Sequence, residues 1–422
     1  MSIRLRHVAS INPPTPEFEL LPDTAELPFL PLEAVWPGNR LDTTRRQPKA
    51  AVSSGYTRFR EGDILLPKIT PTFQADRTVI AVGLEGGVGA GTTELHIVRA
   101  GPDVDVRYLR YLLSSKQFLD EGEASMIGVA GQKRVPDDCL RDLPVPVVDL
   151  RRQRAIADYL DRETARIDAL IEKKQELLRL LDERRMTVMA NGVSGRFTSN
   201  QLQRSALQWL PWRGASWREA KLTLVARLGS GHTPSRDHSE WWEDCNIPWI
   251  TTGEVAQLRS DRVEFLYETR EKVSELGVAN SSAEIHPKGT VVLCRTASAG
   301  YSGIMGTAMA TSQDFATWTC GPLIRPRFLL LCLRAMRQDL LGRLAMGSTH
   351  KTIYMPDIEA LRVPLPEVDE QDAIVDAVWL RLRAIDTVID ALGSQVELLT
   401  EHRQALITAA VTGQLEVPGV AA

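Results

Sequence analysis

Set against itself at an offset of 218, this chain of 422 residues repeats. Residues 142–197 align with 360–415 without a gap, and 16 of the 56 positions are identical, where average composition would give about three or four. The identities include Val145-Pro146 with Val363-Pro364, Gln153 with Gln371, Ala155-Ile156 with Ala373-Ile374, Ile167-Asp168 with Ile385-Asp386, Glu183 with Glu401 and Gly195 with Gly413. A weaker echo opens each half, Leu5-Arg6-His7-Val8-Ala9 resembling Leu222-Thr223-Leu224-Val225-Ala226. Between these anchors the halves diverge, and residues 59–79 find no counterpart in the second half, which reads differently over 229–255. Duplication or fusion of one unit is the simplest cause. The order is variable, constant, variable, constant: a first domain over 1–150, a helix over 151–197, a second domain over 198–366, and a helix with its tail over 367–422.

The constant segments read as long helices. Apolar residues recur every seven positions at Leu160, Ile167, Leu181 and Val188, interrupted by Lys174, with Ile171 and Leu178 on the adjoining row. The second copy has Val378, Ile385, Leu392, Leu399 and Leu406, joined by Leu382, Ile389 and Val396. Heptad spacing is the mark of helices that pair, and about 37 residues make a rod of roughly 55 Å. Gly192, Gly195 and Gly413 suit a helix stop. One amphipathic helix of that length cannot hide its seam alone, so the two pack together, parallel or antiparallel, as a structural spacer. Arg185 and Arg403 stand on an otherwise apolar row, as register markers or partner contacts.

The variable segments read as mixed sheet domains. Short apolar runs such as 63–66, 78–82, 95–98 and 290–293 are punctuated by Gly, Pro and polar residues, and each segment closes with a helical stretch, over 106–118 and 327–344. The fold class is α+β: two globular mixed domains separated by two long helices that pair as a coiled coil, in a pseudo-twofold repeat.

Composition excludes more than it proves. The longest apolar run, residues 328–333, is too short for a bilayer, and no apolar signal core opens the chain. Five scattered cysteines form no CxxC pair, so a reducing cytoplasm is the expected compartment. The net charge of −4 is uneven, with −7 concentrated in 366–422; a basic cleft on such a scaffold can still neutralise phosphates. No GxxxxGK[ST] loop cradles a nucleotide, and no GxSxG elbow is present. Asn12-Pro13-Pro14-Thr15 has Thr15 where an amino-methyltransferase loop places an aromatic on which a flipped base stacks. Pro136-Asp137-Asp138 and Pro356-Asp357 lack the acid-x-Lys strand of a nuclease and read as turns or caps. His232, His238 and Cys245 fit no usual zinc spacing. The chain is therefore expected not to be an enzyme.

Dissimilar domains alternating with similar long helices resemble the specificity subunit of type I restriction-modification systems. Gly231-His232-Thr233-Pro234-Ser235 followed by Ile247-Pro248-Trp249-Ile250 fits the opening of that family's target-recognition domains. Gly62-Asp63-Ile64-Leu65, Lys68-Ile69-Thr70-Pro71 and Thr92-Thr93-Glu94 are similar to a second subtype. Glu370-Gln371 keeps the family's helix start while Arg152-Gln153 departs from it, and Val193-Ser194-Gly195 and Val411-Thr412-Gly413 resemble its small-residue exit. The resemblance implies a non-catalytic subunit that reads a bipartite target in double-stranded DNA, one half-site per domain, with the helix pair fixing the gap. It implies two adenine methyltransferase subunits and restriction/translocase subunits as partners, no membrane, and no cofactor in this chain, with S-adenosylmethionine, ATP and Mg on the partners. A modification-only system or a coiled-coil scaffold without DNA is the alternative.

Within such domains, side chains that can reach phosphates or base edges are the candidate DNA contacts. In the first these are Lys68, Thr70, Thr72, Gln74 and Arg77, with Gln132, Lys133 and Arg134 near the exit. In the second they are His232, Thr233, Ser235, Arg236, Arg295, Thr296 and Ser298, with Thr349, His350 and Lys351. Solvated loop side chains are the competing reading of each. Trp241, Trp242 and Trp249 are expected to complete a loop's core rather than stack on bases.

Overall fold

The computed structural model describes residues 2–129, 131–199, 201–345 and 351–418. It forms two compact units, Met1–Leu177 with Leu392–Ala422, and Leu178–Ala391. Each unit takes in a stretch of both long helices.

The repeat extends through the regions where the sequences diverge. In the first unit an antiparallel sheet runs in the order Ala9–Ile11, Leu95–Ala100, Ile64–Pro67, Val79–Ile80. In the second the order is Ala226–Ser230, Phe315–Cys320, Val291–Cys294, Ser302–Met305, with Phe265–Leu266 added parallel at the edge. A smaller sheet places Glu26–Leu30 parallel to Val88–Gly91 in one unit and Ile247–Ile250 parallel to Ala310–Thr311 in the other. The strand Ile64–Pro67 thus stands where Val291–Cys294 stands, which corrects the expectation that 59–79 has no counterpart. Two effects hid it. Every residue of both strands is buried, so any aliphatic set serves, and unequal loops shift the offset. Even the support of this strand is rebuilt: Arg99 grips Asp63 through two bonds of 2.7 and 2.8 Å, where Thr290 and Thr319 share one hydroxyl bond.

The long helices run over Leu150–Val193 and Val368–Val411, 44 residues each, longer than the heptad pattern alone indicated. Both end alike. Gly195 and Gly413 take positive φ angles of 85° and 76°, and the following residues, Arg196 and Gln414, bond back to the carbonyls of Asn191 and Ala409, the Schellman stop that favours glycine. The closing helical stretches expected over 106–118 and 327–344 are broken: Val106–Leu112 and Lys116–Ser125 in one unit, Pro326–Ala335 and two short turns in the other. Among the described residues no helix is long and apolar enough to cross a membrane.

Within each unit the helix stretches pair antiparallel. In the first, Asp168 meets Arg403 at 2.8 Å and Lys174 meets Gln395. In the second, Arg185 meets Asp386, and Gly192 sits so close to Val378 that a Cβ would stand 2.2 Å from its Cγ2. Arg185 is the repeat partner of Arg403, and Asp168 of Asp386, so the two ion pairs are copies of one another. Both arginines are buried on an apolar row, with Ile156, Leu160 and Ile407 in one core and Val188, Val378 and Leu382 in the other.

Gln153 and Gln371 anchor the helix starts. Gln153 accepts from the Asp105 N–H and donates to the carbonyls of Asp103 and Val148. Gln371 does the same with Arg325, Leu323 and Pro366. The departure at Arg152 leaves this arrangement intact.

Removing one partner strands a buried charge, a loss of about 3–5 kcal/mol. Asp386→Ala is expected to lower the urea midpoint of the second unit accordingly, and Arg185→Met with Asp386→Leu to restore most of it; equal midpoints for the wild type and Asp386→Ala contradict the assignment.

Candidate nucleic-acid interface

Some of the candidate residues gather on one backbone framework built twice. In the first unit the strand Ile64–Pro67 delivers Lys68, whose N–H donates to Glu94 O and whose carbonyl accepts from Val135 N–H, both at 2.9 Å. In the second the strand Val291–Cys294 delivers Arg295, bonded in the same way to Asp314 O and Ile353 N–H at 2.8 Å each. Short hydroxyl turns complete the likeness: Thr92 Oγ1 accepts from Glu94 N–H, and Ser312 Oγ from Asp314 N–H. A cation therefore stands at the end of the same buried strand in each unit, beside an acid on the neighbouring loop.

Four candidates bond this acid or the residue before it. Arg134 grips Glu94 through two bonds of 2.8 Å, and this guanidinium holds the Glu94 carboxyl below the usual range. Thr296 donates to Asp314 at 2.7 Å, Thr233 donates to Gln313 at 2.7 Å, and Arg295 donates to the Gln313 carbonyl at 3.0 Å. Glu94, Gln313 and Asp314 were not among the candidates. Their signal was available in the parallel runs Ala90-Gly91-Thr92-Thr93-Glu94 and Ala310-Thr311-Ser312-Gln313-Asp314, but one hydroxyl and one acid in register are too few to notice.

Other candidates are placed differently. Thr72 is buried and its hydroxyl donates to Ile69 O at 2.7 Å, so it closes a turn rather than facing outward. Arg77 is half-buried, and its Nε lies enclosed without a hydrogen-bond partner among the described residues. Gln74 is exposed and donates to Glu123. Thr70 holds a hairpin of Ile127–Val129 and Gln132–Arg134, donating from its hydroxyl to Gly131 O at 2.6 Å, with Gln132 and Lys133 exposed on the return strand. His232 is exposed. Ser235 carries a local turn through Asp237, and Ser298 is half-buried beyond the Arg295 strand end. Arg236 lies over the Trp242 ring at 3.9 Å and pairs with Glu271 at 2.9 Å. Lys351 is exposed, whereas Thr349 and His350 lie outside the described residues.

Trp249 is buried and Trp242 packs edge-on against it at 5.6 Å, completing the loop core. His238 stacks on Trp241 at 4.2 Å. Among the described residues no three His, Cys, Asp or Glu side chains are grouped to hold a metal.

Residues 215–381 match the family described as the type I restriction modification DNA specificity domain. The chain is 36% identical over 190 residues to the type I restriction enzyme EcoEI specificity subunit of Escherichia coli, covering 44% of this chain and 31% of that protein. It is 34% identical over 188 residues to the EcoAI specificity subunit of Escherichia coli, with 44% and 31% covered. The matched stretch thus spans about a third of the length of these relatives. A chain from a solved structure of a type I R-M system superposes with a TM-score of 0.71 over 98% of each chain at 17% identity, a likeness of fold.

Asp76, at the end of the loop that carries Gln74, tests how this loop is held. It is buried, takes a positive φ of 44°, and lies 4.0 Å from Arg403. Burial pushes its carboxyl up to about 6, against the pull of Arg110 and Arg403. Because the folded value lies above the ordinary 3.8, protonated Asp76 favours folding; that contribution is complete below pH 3.8 and is lost as pH rises through 6. Asp76→Asn is expected to raise the melting temperature at pH 8 and to flatten its change between pH 4 and 7. A variant that melts below the wild type at pH 8 contradicts this.

Proposed function

We propose that this chain, whose residues 215–381 match a type I restriction modification DNA specificity domain, is the DNA-recognition subunit of a type I restriction-modification complex. Each unit binds one half of a bipartite target in double-stranded DNA. Adenine methyltransferase subunits dock on it, and restriction/translocase subunits join for cleavage. S-adenosylmethionine, ATP and Mg belong to those partners, and the chain itself works without chemistry of its own, in the cytoplasm.

The observation that supports the reading is the duplicated framework. Lys68 with Glu94 and Arg295 with Asp314 occupy equivalent main-chain positions, while the loops around them differ in sequence and length. One scaffold with two different sets of outward side chains is what reading two different half-sites requires. A lysine or arginine at each strand end suits phosphate or guanine contact, and phosphate contacts position a protein without specifying sequence. The acid beside each cation holds the neighbouring donors in place, as Glu94 does for Arg134.

The decisive measurement is a genome-wide map of methylated adenines in cells expressing the methyltransferase partner with and without this chain. Methylation on a split motif that appears only with the chain is the expected result; an unchanged map together with failure to co-purify overturns the reading. Methyl transfer to DNA by the lone chain overturns its non-catalytic part. Phosphate contact carries a separate signature. Lys133→Ala with Lys351→Ala is expected to reduce the slope of log affinity against log salt by about 2, near 0.9 per phosphate contact, and equally on every duplex; an unaltered slope removes these two lysines from the interface.

A further inference from the structure

Resting on that reading, we propose that the hairpin of the first unit reads an A·T base pair through Val129 and Gln132. The pair sits on a two-stranded ribbon in which Ile127 faces Arg134, Gly128 faces Lys133 and Val129 faces Gln132. Residues opposite one another in an antiparallel ribbon share a face, and so do residues two apart. One face therefore carries Ile127, Val129, Gln132 and Arg134, and the other carries Lys133 opposite a glycine.

The exposure of the apolar members calls for a partner. Ile127 is 72% and Val129 83% exposed, whereas the central strands Ile64–Pro67 and Val291–Cys294 bury every residue, and folding alone gives no reason to hold two β-branched side chains this far out on a ribbon. Nor is the ribbon a loose loop. Thr70 bonds to both Gly131 O and Lys133 O, Ile69 bridges to Arg134, and Arg134 is locked to Glu94. Gly128 has a φ of 148°, and a Cβ there would stand 2.3 Å from Gln132 O. Arg134 is thus a positioning residue, its guanidinium spent on holding the ribbon, while the Gln132 amide has no partner among the described residues.

The chemistry of the exposed face selects its occupant. The major groove of B-form DNA admits a two-stranded ribbon; there adenine offers N6 and N7 to a side-chain amide, and thymine offers its methyl group to an apolar side chain. Val129 and Gln132, directly opposite one another, supply both halves of that recognition. Lys133, on the other face and uncrowded by Gly128, is free to meet a phosphate.

The test uses the full chain co-purified with its methyltransferase, and duplexes carrying the half-site of the first unit. At each A·T pair, thymine is replaced by deoxyuridine, which lacks only the methyl group. At one position this is expected to weaken wild-type binding about fourfold, the worth of one buried methyl group. Val129→Ser, a change at an exposed residue, is expected to bind the thymine duplex about fourfold more weakly and to bind the thymine and deoxyuridine duplexes equally. Gln132→Ala is expected to lose its preference at the same pair when adenine is replaced by 7-deazaadenine. A half-site without an A·T pair overturns the proposal alone, as does a wild type that prefers its sequence yet ignores the methyl group at every position. Wild-type binding with no sequence preference overturns the recognition reading and the proposal with it.

Discussion

Two guanidinium–carboxylate pairs, Arg185 with Asp386 and Arg403 with Asp168, set the register on which everything else in the two units is hung. Aliphatic seams are permissive: Leu160, Val188, Val378 and Ile407 would bury nearly as well one heptad along. A buried arginine is not permissive, because sliding it past its aspartate leaves a charge in an apolar row. The repeat makes the device economical. One Arg and one Asp, duplicated with the helix, yield two pairs only when the copies run antiparallel, so the same residues specify direction as well as register.

From that register the sheets follow. The helix stretches supply one wall of each unit's core, and the strand pairs Ser2–Arg4 with Pro144–Pro146 and Arg218–Lys221 with Arg362–Leu365 tie the chain entering each unit to the chain leaving it. Between entry and exit, the central strands are anchored by main-chain bonds and buried aliphatic side chains. The loops carry little of that burden and are left to vary.

The helices, their ends and the duplication were legible because heptads, glycine stops and gapless identities are all local signals. The equivalence of Ile64–Pro67 and Val291–Cys294 was not, because burial selects for volume and branching rather than identity, and unequal loops erase a fixed offset. The direction of helix pairing lay in Asp168 and Asp386, both visible as repeats, but nothing local joins either to an arginine more than 200 residues away. At the candidate interface, the clusters around Lys68 and Arg295 were readable from their polarity. The inward duties of Thr72 and Arg134 were not, since a hydroxyl that closes a turn and a guanidinium that holds a hairpin look the same in sequence as those that face outward. The apolar half of the hairpin gave no signal either, since an exposed Ile127 or Val129 looks the same in sequence as a buried one.

The glutamine anchors at the helix starts bond only to main-chain groups: the Asp105 N–H and the carbonyls of Asp103 and Val148 for Gln153, and their equivalents for Gln371. A joint of that kind is blind to the side chains of the loop it holds. Any segment whose backbone passes the same three points docks as well as the native one, whatever it carries. Such a coupling lets a lineage trade whole modules in and out of the frame while leaving the frame's own sequence untouched.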